Sequence, residues 1–117
     1  MNTKIYNYLV IIFFLTIILG SSIPSNNIPN IYVFSLDKLL HVIEYFILGF
    51  LLFNSLLSKT KFPGILCLFL GVIFAIIDEI YQSTVFGRFP SSFDVIADFI
   101  GLTLSILSNK IFTKKLS

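Results

Sequence analysis

Four apolar stretches of about 20 residues each dominate this sequence of 117 residues. They span roughly residues 5–22, 36–57, 64–86 and 93–112, and the breaks between them are rich in Pro, Asn, Ser and Gly. A helix that crosses a bilayer needs about 20 mostly apolar residues. Runs such as LVIIFFLTIIL, residues 9–19, lack the alternation of a barrel strand. The sequence therefore predicts an all-α, polytopic integral membrane protein with four transmembrane helices in one domain, residues 1–117.

The composition excludes several other classes of protein. Hydrophobic residues make up 56% of the chain and charged residues 12%, whereas soluble domains carry about 25% charged residues. An ordinary soluble enzyme, a disordered tail and a nucleic-acid binder are therefore excluded. Cys67 is the one cysteine, which excludes a disulfide scaffold.

The first apolar stretch has two interpretations. Lys4, the apolar core and the Gly20-Ser21-Ser22 sequence resemble a cleavable signal peptide. The core is long for a signal peptide, so we expect a retained helix that packs or anchors.

Basic residues predict the orientation, because Lys and Arg concentrate in cytoplasmic segments. Six of the eight basic residues fall on one side of a four-helix topology: Lys4, Lys59, Lys61, Lys110, Lys114 and Lys115. This places both termini in the cytoplasm. Lys38 and Arg88 then lie at the outer surface, against this trend, so we expect them to have a role other than setting the orientation.

The acidic residues all fall toward the predicted outer ends of the helices, together with the single histidine. They are Asp37, Glu44, Asp78, Glu79, Asp94 and Asp98, with His41. At about 1.5 Å of rise per residue, Asp98 lies about 9 Å deep, Glu44 about 10 Å and Asp78 about 15 Å. Ionisable groups at such depth normally face the bundle interior or a water-filled cavity.

Helical spacing predicts which polar residues share a face. The three stripes are Asp37, His41, Glu44 and Tyr45; Gly71, Ala75, Asp78 and Gln82; and Asp94, Asp98, Gly101, Ser105 and Ser108. Small residues allow close helix approach in membranes. We therefore expect the small residues of the last two stripes to pack helices three and four together.

Helix capping explains some of these acids but not others. Asp37 and Asp94 lie in the first turns of their helices, where the helix dipole favours acids, so capping and a site role both stay open. Asp78 and Glu79 lie in the C-terminal half of their helix, where the dipole is unfavourable. Asp98 follows Asp94 at a repulsive spacing and needs a cation, a proton or hydrogen-bond donors.

The ordered motifs between residues 37 and 101 resemble the VanZ-like membrane proteins. They are DK-x-x-H-x-x-x-Y-F from residue 37, DE-x-x-Q from residue 78, GR at residue 87 and D-x-x-A-D-x-x-G from residue 94. The resemblance implies a protein of the bacterial cytoplasmic membrane and cell envelope with four spanning helices. It also implies a link to lowered susceptibility to the glycopeptide antibiotic teicoplanin, and it leaves the reaction open.

These patterns predict one outward-facing polar site. The candidate catalytic residues are Asp37, His41, Glu44, Asp78, Glu79 and Asp98, and the candidate substrate-binding residues are Lys38, Tyr45, Gln82, Arg88 and Asp94. The carboxylates and the histidine suit proton transfer or a divalent cation. Lys and Arg suit a phosphate or carboxylate group.

Three functions fit such a site. The first is binding of, or action on, a membrane lipid or lipid-linked envelope substrate. The second is a small ion- or proton-coupled transporter, to which the apolar inner halves of the helices are an objection. The third is a non-catalytic assembly partner. A homo-oligomer is compatible with each, and the residues leave open whether the site is catalytic.

Overall fold

The described part of the chain forms four α-helices. The computed structural model describes residues 3–21, 34–85 and 92–116, and describes side chains for residues 4–20, 38–85 and 92–111. The helices are α1 (Thr3–Ser21), α2 (Phe34–Leu56), α3 (Pro63–Gln82) and α4 (Ser92–Leu116). All regular structure in the described ranges is helical, so the predicted all-α class is confirmed.

Three of the helices are long and apolar enough to cross a membrane. The segments that meet this criterion are Lys38–Leu56, Pro63–Gln82 and Ser92–Ile111, and Lys4–Gly20 of α1 is a shorter apolar helix. Large hydrophobic side chains cover the outside of the bundle, among them Leu19, Ile65 and Phe69. An apolar outer surface around helices is typical of proteins whose surroundings are lipid.

Local sequence explains both ends of α3. Pro63 stands at the start of the helix, where its missing N–H costs no hydrogen bond. The helix ends at Gln82, four residues before the predicted end, and residues 83–85 form a turn. The Ser83 and Thr84 hydroxyls donate to the carbonyls of Ile80 and Tyr81. These bonds satisfy acceptors that the helix end leaves free.

The helices pack as a ring in the order α1, α2, α4, α3. Both α2 and α3 contact α1 and α4, and they also contact each other. The core includes Val10 and Ile17 from α1, Leu48 from α2 and Leu102 from α4. Phe14 of α1 stacks on Phe74 of α3, with ring centroids 4.6 Å apart.

The α2 and α4 helices run parallel and in register. Polar contacts between them join residues 55, 56 and 57 positions apart along most of their length. The α3 helix, which lies between them in the sequence, runs in the opposite direction. The N-terminal ends of α2 and α4 therefore lie at the same end of the bundle as the C-terminal end of α3. We call this the acidic end, because it carries the described Asp and Glu side chains.

Gly101 allows the backbones of α2 and α4 to approach closely. A Cβ at position 101 would overlap the carbonyl oxygen of Val42 and lie 3.0 Å from the backbone nitrogen of Phe46. The expected contact of Gly101 with helix three is therefore wrong. The α3–α4 contact is made instead at the next position, where Cδ2 of Leu102 would lie 2.5 Å from a Cβ on Gly71.

Candidate functional site

A chain of ionic contacts joins α2 and α4 at the acidic end. The Nδ1 atom of His41 lies 2.9 Å from Oδ1 of Asp98. Its Nε2 atom lies 3.7 Å from Oδ1 of Asp94. The same Asp94 oxygen accepts a hydrogen bond from the Lys38 ammonium. Residues one helical turn apart on α2 thus face residues one turn apart on α4.

The close helix approach at Gly101 accounts for this pairing. Gly101 is one turn from Asp98, and Val42, which it contacts, directly follows His41. A larger residue at position 101 would separate the helices where the imidazole spans them. Gly101 therefore positions the ionic contacts of His41 by allowing α2 and α4 to lie close together.

These groups are removed from solvent. Asp98 is fully buried, and the exposed fractions of Asp94 and His41 are only 4% and 5%. Oδ2 of Asp98 has no hydrogen-bond partner among the described residues. A buried carboxylate is costly unless it is paired or hydrogen-bonded. The repulsive spacing of Asp94 and Asp98 is thus offset by His41 and Lys38, the kind of partner that the sequence required.

Tyr45 and Asp78 extend the site toward α3. Tyr45 lies one turn beyond His41 and is fully buried, and its hydroxyl has no hydrogen-bond partner among the described residues. It interacts electrostatically with Asp98 and Asp78. Asp78 is itself fully buried and also interacts electrostatically with Asp98. Three helices therefore contribute polar groups to one region.

The two glutamates and Gln82 lie around this region. Glu44 and Glu79 are half-buried, and both interact electrostatically with Tyr45. Gln82 is buried one turn beyond Asp78, on the same face of α3 as Gly71 and Ala75.

Two predicted site residues lie outside the described side chains. Asp37 belongs to the first turn of α2, but its side chain is not among those described, and Arg88 lies outside the described residues altogether. Within the described residues, no group of three His, Cys, Asp or Glu side chains could hold a metal ion. The contacts that the structure describes at this site are hydrogen bonds and ion pairs.

A second group of polar contacts lies at the opposite end of the bundle. Asn54 donates to the side-chain oxygen of Asn109 at 3.0 Å, which joins α2 to α4. Lys59 donates to the side-chain oxygen of Asn7 at 2.7 Å, and Ser55 donates to the same atom. The sequence analysis did not identify these residues. Their side-chain amides within apolar stretches could have predicted the contacts, because polar groups hydrogen-bond between membrane helices.

The prediction that Ser108 belongs to the inward-facing stripe of α4 is wrong. Ser108 is exposed, whereas Asn109 is buried and its amide donates to the Ser105 carbonyl at 2.7 Å. Both residues are near one helical repeat from Ser105, since the α-helix has 3.6 residues per turn. The Asn54 partner on α2 selects position 109.

Fold and site together define a helical membrane protein with a buried ionic cluster at one end of its bundle. A family model described as VanZ/LLP1 matches residues 2–113, and the chain belongs to this family. The resemblance drawn from the motifs is confirmed. Searches for similar curated proteins and for similar solved structures gave no match.

Proposed function

We propose that the chain crosses the bacterial cytoplasmic membrane four times, with both termini in the cytoplasm and the acidic end facing outward. The distribution of basic residues supports this orientation. The parallel packing of α2 and α4 also supports it, because it brings the acidic residues of both helices to one end of the bundle and Lys59 and Lys110 to the other. The packing of α1 in the core supports a retained first helix.

We infer that the acidic end binds, or acts on, a lipid-linked or other envelope-associated substrate. The observation that carries this proposal is the placement of His41 between two carboxylates of α4, with Lys38 on one of them. Such a cluster is expensive within a membrane and exceeds what helix joining requires. From the resemblance to the VanZ-like proteins we also propose that this function lowers susceptibility to teicoplanin.

The arrangement suits proton transfer to or from a substrate group. Asp98 holds the imidazole of His41 through Nδ1, which orients the ring and sets its tautomer. The Nε2 atom faces Asp94, whose charge is shared with Lys38. A substrate group that displaces the Asp94 contact would meet Nε2 as a proton donor or acceptor. Lys38 and Arg88 supply positive charge for a phosphate or carboxylate.

One observation favours the transporter as a second candidate. Buried polar residues continue along α4 from Asp98 to Ser105 and Asn109. However, the fully buried Leu102 lies between Asp98 and Ser105. An ion path would have to pass this apolar layer, so the geometry favours a site at one end.

The test is teicoplanin susceptibility of cells that express the chain, normalised to the amount of folded protein. We expect Asp98→Asn, Asp78→Asn, His41→Gln and Arg88→Ala each to abolish the change in susceptibility. Lys59→Ala and Lys114→Ala, on the predicted cytoplasmic side, are the matched controls and should be nearly silent. If all four outer variants keep the phenotype, the acids serve only to join helices and the assembly-partner function replaces this one.

A further inference from the structure

An open groove follows the outer surface of the bundle between α2 and α4. Its volume is about 370 Å³, within the range of about 300–1,000 Å³ of small-molecule sites. The lining residues include Leu39 and Val42 from α2 and Ile96, Ala97 and Ile100 from α4. Because α3 packs against both helices from the other side, this groove faces away from the bundle.

The groove runs from an apolar end to a charged end. Val42 and Ile100 line one end, beside the close approach of the two helices at Gly101. Phe93 and Lys38 stand at the other end. From Phe93 to Ile100 the groove extends about 10 Å along α4. Its shape suits a narrow, extended apolar ligand that enters from the lipid.

Lys38 gives this groove its charge. Among the described residues that line the groove, it is the only charged one. It is also the more exposed member of its ion pair, since 18% of the Lys38 side chain is accessible against 5% for Asp94. A ligand in the groove therefore meets the ammonium before the carboxylate, and an anionic group is the complementary one.

We propose that the groove binds the alkyl chain of an anionic phospholipid, whose head group carries a net negative charge and lies at Lys38. This proposal rests on the proposed function and names the substrate class of the same site. An alkyl chain gains little by leaving surrounding lipid for an apolar groove, because both are equally apolar. The contact between Lys38 and the net negative charge of the head group must therefore provide the preference, and it places the head group beside His41 and Asp94.

The experiment uses full-length protein in phosphatidylcholine nanodiscs that contain a trace of photoactivatable lipid. The probe is phosphatidylglycerol with a diazirine on its acyl chain, and phosphatidylcholine with the same chain is the control lipid. Mass spectrometry compares the label on Ile96 and Ile100 with that on Ile76 and Ile80, which face outward from α3. The proposal requires phosphatidylglycerol to label the groove preferentially and phosphatidylcholine to label both surfaces alike.

Two substitutions separate head group from groove. Lys38→Gln should lower the groove label from phosphatidylglycerol by about fivefold, as expected for one basic residue at an anionic lipid. Lys38→Arg, which keeps the charge, should retain it. Ala97→Phe fills the groove and should remove the label, whereas Ile76→Phe on α3 should not.

Each outcome decides the proposal. Equal labelling by the two lipids, absence of label from the groove, or undiminished label in Ala97→Phe overturns it. The readout is independent of teicoplanin susceptibility. If phosphatidylglycerol labels the groove preferentially but the His41 and Asp98 variants leave teicoplanin susceptibility unchanged, the lipid site stands and the proposed function is rejected. If the groove is not labelled preferentially but those variants abolish the phenotype, the proposed function stands and the lipid site is rejected.

Discussion

The Nδ1 atom of His41 lies 2.9 Å from Oδ1 of Asp98, in a part of the bundle where the carboxylate has no exposed surface. The two residues are 57 positions apart and belong to helices that run parallel. Water is excluded from the Asp98 carboxylate, so the strength of its contact with His41 depends on the protein groups around the two side chains. His41 and Asp98 should therefore behave as one unit when either is changed.

Removal of the imidazole should cost more than replacement of the carboxylate by an amide. His41→Ala leaves the buried Asp98 without its partner, and breaking such a pair typically costs about 3–5 kcal/mol. Asp98→Asn removes the charge but keeps a polar group, so a smaller loss is expected. In the double variant the losses should be less than additive, with a coupling of about 0.5–3 kcal/mol. Equilibrium unfolding in detergent measures these values, and strictly additive losses would contradict the pairing.

Position 101 should not tolerate even one added methyl group. In Gly101→Ala the new Cβ would overlap the Val42 carbonyl oxygen, which is backbone and cannot rotate away. Overpacking of this kind costs about 1–3 kcal/mol and should lower the thermal unfolding midpoint. Gly20→Ala is the matched control, because nothing lies within 4 Å of the added Cβ. Equal midpoints for the two variants would mean that α2 and α4 do not approach as described.

The first helix should remain in the mature protein. Val10 and Ile17 are buried, and the Phe14 ring stacks on Phe74 at an interplanar angle of 26°. Phe14→Leu should lose about 0.5–1.5 kcal/mol of unfolding free energy, the usual value of an aromatic pair. Ile12→Leu, at an exposed position of the same helix, should be neutral. Intact mass spectrometry checks retention, and a mature chain beginning after Ser22 would restore the signal-peptide interpretation.

Cysteine labelling should reveal the orientation of the bundle in the membrane. In a Cys67→Ser background, Asn27→Cys and Ser91→Cys should react with an impermeant reagent added to intact cells. Thr60→Cys should react only after the cells are opened, because the loop after α2 is expected in the cytoplasm. Reaction of position 60 in intact cells would reverse the orientation and place the acidic end inside.

The sequence by itself determined the helical class, the presence of four helices and the family. Apolar runs of membrane-spanning length force the backbone to bond within each segment, whatever the local propensity of their β-branched residues. Chain order also fixed that His41, Asp78 and Asp98 lie toward one end, since consecutive helices reverse direction.

Only the tertiary structure decided which residues meet. Helical periodicity shows which side chains share a face, but the rotation of each helix toward its neighbours depends on packing across the whole bundle. For this reason the sequence could not assign His41 to Asp98, turn Gly101 toward α2, or choose Asn109 over Ser108. Those choices follow from the steric fit of Gly101 against Val42 and of Leu102 against Gly71, which exists only once the helices are packed.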